Sequence, residues 1–365
     1  MLAQMMMKLL ALILMAGFAH AQGPRVAMEL DPNTEGLSIG FLSQVPARRT
    51  SDGTTPFIGS QTKVAEPPAV ARYTARVPEG DLRLETRLER HSYEGLLKGR
   101  NKLDSADLTA GGYSVAGESM VHTTRSLDLF YGATHNVTLF ASVPIHERSM
   151  TSRVVGFGPL DQTSSGIGDV VTGIVYAYRD KPTSKLHVHL GVGLPTGEID
   201  ADDLGANGTS ERLPLPMQLG GGTYDIYNGA TWVNRMDVWT MGMHGRMRIH
   251  FGENDEGWAH GDSFNFDFWI ARPVFSFLDF NLRLHNASWG DYYGTAPASS
   301  NPDDNPLAEI HRQGGTRTDG GMGLALDLGP VGRISLDGTL PIDEWLDGPQ
   351  FSTQRTLSLS WHLSF

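Results

Sequence analysis

The chain has 365 residues, no cysteine, and 41 acidic against 29 basic residues, which gives a formal net charge of −12. That balance argues against nucleic acid as a partner, because phosphates require a basic surface. Without cysteine no disulfide contributes, and beyond the amino terminus no apolar run approaches the roughly 18 residues of a transmembrane helix, so backbone pairing and burial must stabilise another kind of fold.

The first 21 residues have the pattern of a secretory signal peptide. Lys8 provides the positive charge, residues 9–18 form the apolar core, and Ala19 to Ala21 provide a small-residue cleavage site. The apolar run is too short to cross a bilayer, and no cysteine follows the cleavage site to carry a lipid. The sequence therefore predicts export and removal of residues 1–21.

Residues 22–78 differ from the rest of the chain. They are rich in Pro, Gly, Ser and Thr and show little periodicity, as around Pro67 and Pro68. Such a composition is typical of irregular segments. We expect an irregular periplasmic extension, and the sequence leaves open whether it is partly disordered or folds back as a plug.

From residue 79 to residue 365, apolar and polar residues alternate with the period of β-strands that face two environments. Glycine is frequent, with 43 in the chain, which favours one all-β body over two mixed domains. The pattern predicts about twelve antiparallel strands, each long enough to cross an outer membrane. They lie near residues 80–93, 120–133, 136–148, 167–179, 184–196, 222–233, 237–251, 262–272, 277–289, 316–328, 331–341 and 354–365.

The connections between these strands alternate between short and long. Outer-membrane β-barrels have short periplasmic turns, long outer loops and an even number of strands. The alternation therefore predicts a barrel of the Gram-negative outer membrane, with both ends of the barrel region in the periplasm. Short connections are predicted at residues 133–136, 180–183, 234–237, 273–276 and 329–331, and long ones at 94–119, 149–166, 197–221, 252–261, 290–315 and 342–353.

The last predicted strand resembles the closing strand of outer-membrane barrels, because it has one apolar face, one polar face and a terminal aromatic residue, Phe365. We expect this strand to engage the barrel-assembly machinery. Outer-membrane lipid and lipopolysaccharide are the other expected partners, and the small-molecule solute is unknown. The apolar face consists of Leu357, Leu359, Trp361, Leu363 and Phe365, and the polar face of Ser358, Ser360, His362 and Ser364.

The face opposite the apolar stripe points into the lumen of a barrel of this size. Charged residues there need water or partners. They can pair as a ladder of salt bridges that fills the lumen, or they can line a permeation path, and neither interpretation excludes the other. The predicted lumen-lining residues are Arg83, Glu85, Arg87, Glu89, His187, His189, His244, Arg246, Arg248, His250, Asp267, Asp279, Arg283, His285, Asp327, Arg333 and Asp337.

Histidines in the predicted lumen raise the question of a metal site. His187 and His189 share one face of a strand, and His244 and His250 share a face of another. Zinc or copper requires three or four converging ligands, and the sequence does not indicate convergence. We therefore predict no metal and no cofactor.

An outer-membrane lipid hydrolase is the enzymatic alternative. His362 and Ser364 are two residues apart, and nucleophilic catalysis requires a serine within reach of a base. The pair lies at the predicted periplasmic end, far from the outer leaflet, and the motif H-E-x-x-H is absent. The sequence favours a protein that is not an enzyme.

Several segments between residues 112 and 365 carry a family resemblance. They are residues 142–150 (SVPIHERSM), 166–179 (GIGDVVTGIVYAYR), 190–200 (LGVGLPTGEID), 214–225 (PLPMQLGGGTYD) and 346–350 (LDGPQ). These segments resemble the outer-membrane proteins of the family called MetA-pathway of phenol degradation, often described as transporters. The resemblance implies an outer-membrane barrel that passes small hydrophobic or aromatic compounds.

Together these patterns predict a signal peptide at residues 1–21, an extension at 22–78 and an outer-membrane β-barrel at 79–365. The function that follows is a channel for small molecules, acting by passive or facilitated diffusion. A lipid hydrolase and a plugged barrel with a structural role remain the alternatives.

Overall fold

The computed structural model describes Ala65, Pro68, residues 76–295 and residues 303–365. The chain divides into two units, residues 1–62 and 63–365, and all described residues belong to the second. The predicted signal peptide and nearly all of the predicted extension lie outside the described residues.

The described residues form an all-β fold with one short α-helix and three turns of 3₁₀ helix. The helix is α1 (Ser105–Ala110), and the 3₁₀ turns are Leu215–Met217, Pro306–Ala308 and Gly329–Val331. The strands are β1 (Leu82–Gly99), β2 (Asn101–Leu103), β3 (Val115–Gly132), β4 (Val137–Val154), β5 (Gly158–Ile167), β6 (Val170–Lys181), β7 (Ser184–Leu194), β8 (Asp202–Leu204), β9 (Ser210–Arg212), β10 (Tyr224–Met236), β11 (Trp239–Phe251), β12 (Trp258–Ala259), β13 (Ser263–Phe275), β14 (Leu278–Trp289), β15 (Tyr293–Gly294), β16 (Gly315–Asp327) and β17 (Arg333–Ser364).

Eleven of these strands form a closed antiparallel ring. The order around the ring is β1, β3, β4, β6, β7, β10, β11, β13, β14, β16 and β17, and β17 pairs with β1 to close it. β5 continues the pairing of β4 beyond β6, and β2 pairs with the end of β1. One short hairpin, β8 with β9, lies in a long connection, and β12 pairs with β15 between two other connections.

β17 contributes two passes through the barrel wall. Its residues 333–346 pair with β16, and its residues 346–364 pair with β1. Both Arg333 and Ser364 lie at the rim of the short turns, so the strand must reverse near Leu346. Eleven ring strands, one of them counted twice, give twelve passes, and antiparallel closure requires an even number. The predicted fold class is therefore confirmed.

Three of the predicted long loops are wrong over much of their length. Residues 149–166 form the paired ends of β4 and β5 around a three-residue tip, and residues 342–353 lie within β17. β1 continues to Gly99, inside the predicted loop 94–119. These strand ends carry polar residues such as Glu147 and Ser149 on the outer face, so the apolar alternation that indicates a strand is lost there.

The two ends of the barrel differ in the way that the sequence predicts. At one rim the strands are joined by short turns, and Leu82 and Phe365 exchange backbone hydrogen bonds of 3.3 and 2.8 Å. The first and last strands of the barrel are therefore joined at this rim. In the turn between β10 and β11, Asp237 has a φ of 51°, the left-handed conformation that tight hairpins require. The longer connections lie at the opposite rim.

The outer face of the barrel carries an apolar belt of membrane height. On β11, Trp239 and Phe251 mark the two ends of thirteen residues, and both side chains are exposed. At roughly 3.3 Å per residue and a tilt of roughly 40°, these residues span about 30 Å, the thickness of a hydrocarbon core. Exposed apolar residues between the rims include Leu127, Ile145, Ile174, Val188, Leu190, Met243, Met247, Leu282, Leu284, Met322, Leu324, Leu336, Leu340, Leu357 and Leu359.

Among the described residues, no helix combines the length and the apolar character needed to cross a membrane.

The interior is layered along the barrel axis. At the end with long connections, apolar residues of the strands and of the inward-folded loops form a buried cluster that includes Met150, Leu213, Met217 and Leu307. At the short-turn end, Phe130, Phe140, Val175 and Val77 form a second cluster. Charged residues lie between these clusters and also beside the second one, where the Arg83 guanidinium is 4.2 Å from the ring of Phe130.

We expect the effect of a charged substitution on the lipid face to depend on its depth in the membrane, measured as a loss in the free energy of unfolding. Val188→Arg, in the middle of β7, is expected to lower the free energy of unfolding by about 2–4 kcal/mol, because the guanidinium enters hydrocarbon. Tyr178→Arg, at the short-turn rim, is the matched control and is expected to cost about 0–1 kcal/mol. Denaturant titration of the barrel in phospholipid vesicles measures both. Equal costs would contradict the membrane placement.

Candidate functional site in the barrel lumen

The predicted lumen-lining residues follow the inward register of the barrel wall. Asp327 lies at the short-turn rim, where it is exposed and its carboxylate accepts a hydrogen bond of 3.0 Å from the Gly329 N–H. It stabilises the turn there. The others are Arg83, Glu85, Arg87, Glu89, His187, His189, His244, Arg246, Arg248, His250, Asp267, Asp279, Arg283, His285, Arg333 and Asp337.

Ion pairs join many of these side chains. Glu85 pairs with Arg87 on the same strand at 2.5 Å, as the alternation on β1 suggests. Asp279 accepts from Arg333 at 2.8 Å across two strands. Breaking a buried pair leaves an uncompensated charge and is strongly destabilising. The Asp279–Arg333 pair therefore links β14 to β17 on the inner wall.

Two carboxylates each contact both an arginine and a histidine. Asp267 lies 2.9 Å from His285 and 3.5 Å from Arg283. Asp225, which the sequence analysis did not select, accepts from Arg248 at 2.5 and 2.9 Å and lies 2.7 Å from His250. These clusters hold the two guanidiniums in fixed positions on the inner wall.

Arg148 ties the long connection 195–223 to the barrel wall. Its guanidinium donates to the carbonyl oxygens of Pro216, at 2.6 Å, and Gln218. Its Nε atom is buried without a hydrogen-bond partner. The sequence analysis ended the third strand at residue 148 and did not select this arginine. Its even spacing from His146 and Pro144, which also face inward, is the signal that could have found it.

Asp169 holds the same connection from a second point. It lies in the break between β5 and β6, and its two carboxylate oxygens accept hydrogen bonds from the Gly197 N–H at 3.0 Å and the Gly221 N–H at 2.7 Å. The guanidinium of Arg248 lies 3.7 Å away. One carboxylate thus fixes both ends of the loop that covers this side of the lumen.

Three adjoining cavities occupy the lumen. The first, of about 190 Å³, has a fully polar wall of alternating charges that includes Arg87, Glu89, Asp267 and Arg317. We call the second, of about 290 Å³, the aromatic cavity, because Tyr93, Trp289, Tyr292 and Phe351 form its wall. We call the third, of about 350 Å³, the arginine cavity, because Arg148, Arg246 and Arg248 face it.

The aromatic and arginine cavities share part of their walls. Arg248, His260 and Ser263 border both. Arg246 borders the arginine cavity and the first cavity, and Arg317 borders the first cavity and the aromatic one. Side chains at these shared walls can therefore contact a solute in either of two neighbouring spaces.

Loop residues at the wall of the aromatic cavity are uncharged at neutral pH. Burial, and secondarily the Arg248 guanidinium, hold the pKa of His260 well below its usual value, so the ring is neutral. Burial raises the pKa of Tyr292 to about 12. The two rings lie 4.7 Å apart between centroids. Together they present an aromatic surface beside a cationic one.

A row of three histidines lies on β1, β3 and β4. His122 Nε2 is 3.1 Å from His146 Nδ1, and the ring centroids of His91 and His122 are 5.8 Å apart. Only two of these imidazoles come within hydrogen-bond distance of one another. Within the described ranges, no group of three His, Asp or Glu side chains has the geometry to hold a metal ion.

The described part of the extension contacts the lumen near the short-turn rim. The Thr240 hydroxyl, on the inner face of β11, donates to the Ala65 carbonyl at 2.5 Å. The Val77 N–H donates to the Thr138 hydroxyl, on β4, at 3.0 Å, and Val77 packs in the apolar cluster there. Arg76 pairs with Asp180 at 2.9 Å. Ala65 and Val77 therefore both contact the inner wall near this rim.

His362 and Ser364, the candidate catalytic pair, lie at the end of β17. Ser364 is exposed at the short-turn rim, where it pairs in register with Arg83. The opposite rim carries the long connections that would face the outer leaflet. A lipid substrate in that leaflet would lie at the other end of the barrel.

Comparison with solved structures gives a fold-level likeness. The chain is similar to an outer-membrane channel from Pseudomonas putida F1, with a TM-score of 0.57, 15% identity, and coverage of 82% of this chain and 100% of the other. The toluene transporter TodX from Pseudomonas putida matches with a TM-score of 0.42 at 10% identity, covering 82% of this chain and 95% of that one, too low a score to support an argument. No family model matches the sequence, and no curated protein matches it significantly.

The closed antiparallel ring, the apolar belt and the first of these likenesses define the class. The chain is a transmembrane β-barrel of the outer-membrane type.

We expect Asp169→Ala to loosen the long connection, because the loss of one carboxylate leaves the N–H groups of Gly197 and Gly221 without their acceptor. Backbone amides of residues 197–221 should exchange with deuterium faster by about tenfold or more, while β7 and β10 stay protected. Asp200→Ala, an exposed aspartate in the same loop, is the control. Unchanged exchange in the Asp169 variant would contradict the anchoring role.

Proposed function

We propose that the protein is an outer-membrane channel of Gram-negative bacteria that passes small molecules by diffusion. The observation that carries the proposal is the lumen itself, in which three adjoining cavities lie inside a closed barrel wall lined by polar and charged side chains. The fold-level likeness to an outer-membrane channel supports it. Localisation in the outer membrane is part of the proposal, as is the predicted signal peptide.

The solutes in this proposal are small hydrophobic or aromatic compounds. The aromatic cavity supports that choice, because four aromatic side chains can pack against a flat apolar solute. The resemblance to the MetA-pathway family points the same way, although family membership is not confirmed. The solved toluene transporter adds no weight, since its likeness to this chain is too low.

The conductance of the purified barrel tests the channel proposal directly. Full-length protein reconstituted in a planar bilayer is expected to give discrete conductance steps. The same preparation in liposomes should allow swelling in an aromatic solute. Folded protein, verified by its resistance to unfolding in detergent, that gives neither steps nor swelling would contradict the proposal and favour a closed structural barrel.

Two deletions test whether the extension obstructs the lumen. Removal of residues 22–75 takes away Ala65 and its hydrogen bond with Thr240, so we expect a larger single-channel conductance. Removal of residues 22–62 only, which leaves Ala65 and Pro68, separates the effect of residues 63–75 from that of the rest of the extension. Equal conductance of both variants and the full chain would show that the extension is not a plug.

A further inference from the structure

Arg246 differs from most lumen arginines in its surroundings. Arg87, Arg248, Arg283, Arg317 and Arg333 each lie within ion-pair distance of a carboxylate. Arg246 lies that close to no carboxylate among the described residues, although it borders two cavities. Its charge is therefore available to a solute.

The guanidiniums of Arg246 and Arg248 both lie near one aromatic ring. Their Cζ atoms are 5.9 and 5.4 Å from the centroid of Tyr227, a residue of the inner wall of β10. All three side chains border the arginine cavity. An anion in that cavity would therefore have two positive charges in its wall.

The arginine cavity has an excess of positive charge. Arg148 also faces it, and the guanidinium of Arg148 is bound by backbone carbonyls rather than by a carboxylate. The carboxylates nearby are those of Asp169 and Asp225. Three guanidiniums against two carboxylates leave one positive charge, which matches a monoanion better than a doubly charged phosphate.

The neighbouring space provides an apolar wall for the rest of such a ligand. The aromatic cavity joins the arginine cavity at Arg248, His260 and Ser263. Beyond these shared residues, its aromatic wall continues into Leu307 and Leu346. A flat apolar group there would lie in the same cavity as Arg248, which also borders the arginine cavity.

We propose that the lumen holds a binding site for aromatic carboxylates, with the carboxylate between Arg246 and Arg248 and the ring in the aromatic cavity. Guanidinium groups bind carboxylates in a bidentate manner, and aromatic walls favour flat rings. The inference rests on the proposed channel function only for the access of the solute to the site.

Equilibrium binding to the full-length barrel in detergent tests the site independently of conductance. The probes are benzoate, benzamide as its uncharged analogue of the same shape, and acetate as the anion without a ring. By calorimetric titration, benzoate is expected to bind at least tenfold more tightly than either of the other two. Equal affinities of benzoate and benzamide, or of benzoate and acetate, would overturn the proposal.

Substitutions then assign the site to Arg246. Arg246→Gln should lower the affinity for benzoate about tenfold and leave benzamide unchanged, whereas Arg246→Lys should retain part of the preference. Arg125→Gln, which removes an exposed arginine paired with Glu147 at the outer surface, is the control of equal charge change. An unchanged benzoate preference in folded Arg246→Gln would overturn the assignment.

The binding experiment tests the carboxylate site, and the conductance experiment tests the channel proposal, so the two proposals can be contradicted separately. Conductance without a preference for benzoate would overturn the carboxylate site and leave the channel proposal intact. Benzoate binding by a barrel that never conducts would support the site and contradict the channel.

Discussion

Pairing between β1 and the end of β17 is the interaction on which the rest of the structure depends. In hydrocarbon an unpaired backbone N–H or C=O group costs several kcal/mol, on the order of a whole hydrogen bond, so a sheet can cross the membrane only as a closed ring. The backbone bonds between Leu82 and Phe365 complete that ring at the short-turn rim. The reversal of β17 near Leu346 supplies the twelfth pass and makes the number even, as antiparallel closure demands.

Closure also determines the chemistry of the interior. Because every second residue of each strand contacts lipid, the residues between them face inward and need not be apolar. They can carry charge if partners or water compensate it, and Asp279 with Arg333 shows the buried form of that compensation. Apolar clusters at both ends of the barrel complete the packing of the interior. The membrane thus imposes a pattern outside and leaves the inside available for binding.

The sequence predicts the parts of this protein that the membrane constrains. The strand positions and the alternation of turn lengths could be derived because lipid requires strict period-2 patterns between the rims. Beyond the membrane that requirement ends, and the strand ends at residues 149–166 were therefore mistaken for a loop. The inner face of β1 was also derived correctly, since its register follows from Leu84 and Leu88 on the outer side.

The candidate site could be predicted only in part. The residues that face the lumen could be predicted from the register of the strands. The contacts of Arg148 with Pro216 and of Asp169 with Gly221 could not, because they join segments about 50 to 70 positions apart in sequence and no local pattern encodes them. Register likewise does not show that the Asp327 carboxylate binds the N–H of Gly329 in the turn after β16.

The contacts of Arg148 and Asp169 with the long connection explain how a wall of paired charges can still leave one cation for a solute. The long connection places backbone carbonyls against Arg148 and backbone N–H groups against Asp169, so both side chains are occupied by the loop. Asp225 is occupied in turn by Arg248 and His250. Within the described part of the lumen, these contacts leave Arg246 without a carboxylate, beside the space that the loop covers. The long connection that covers this space therefore also creates the charge imbalance beneath it.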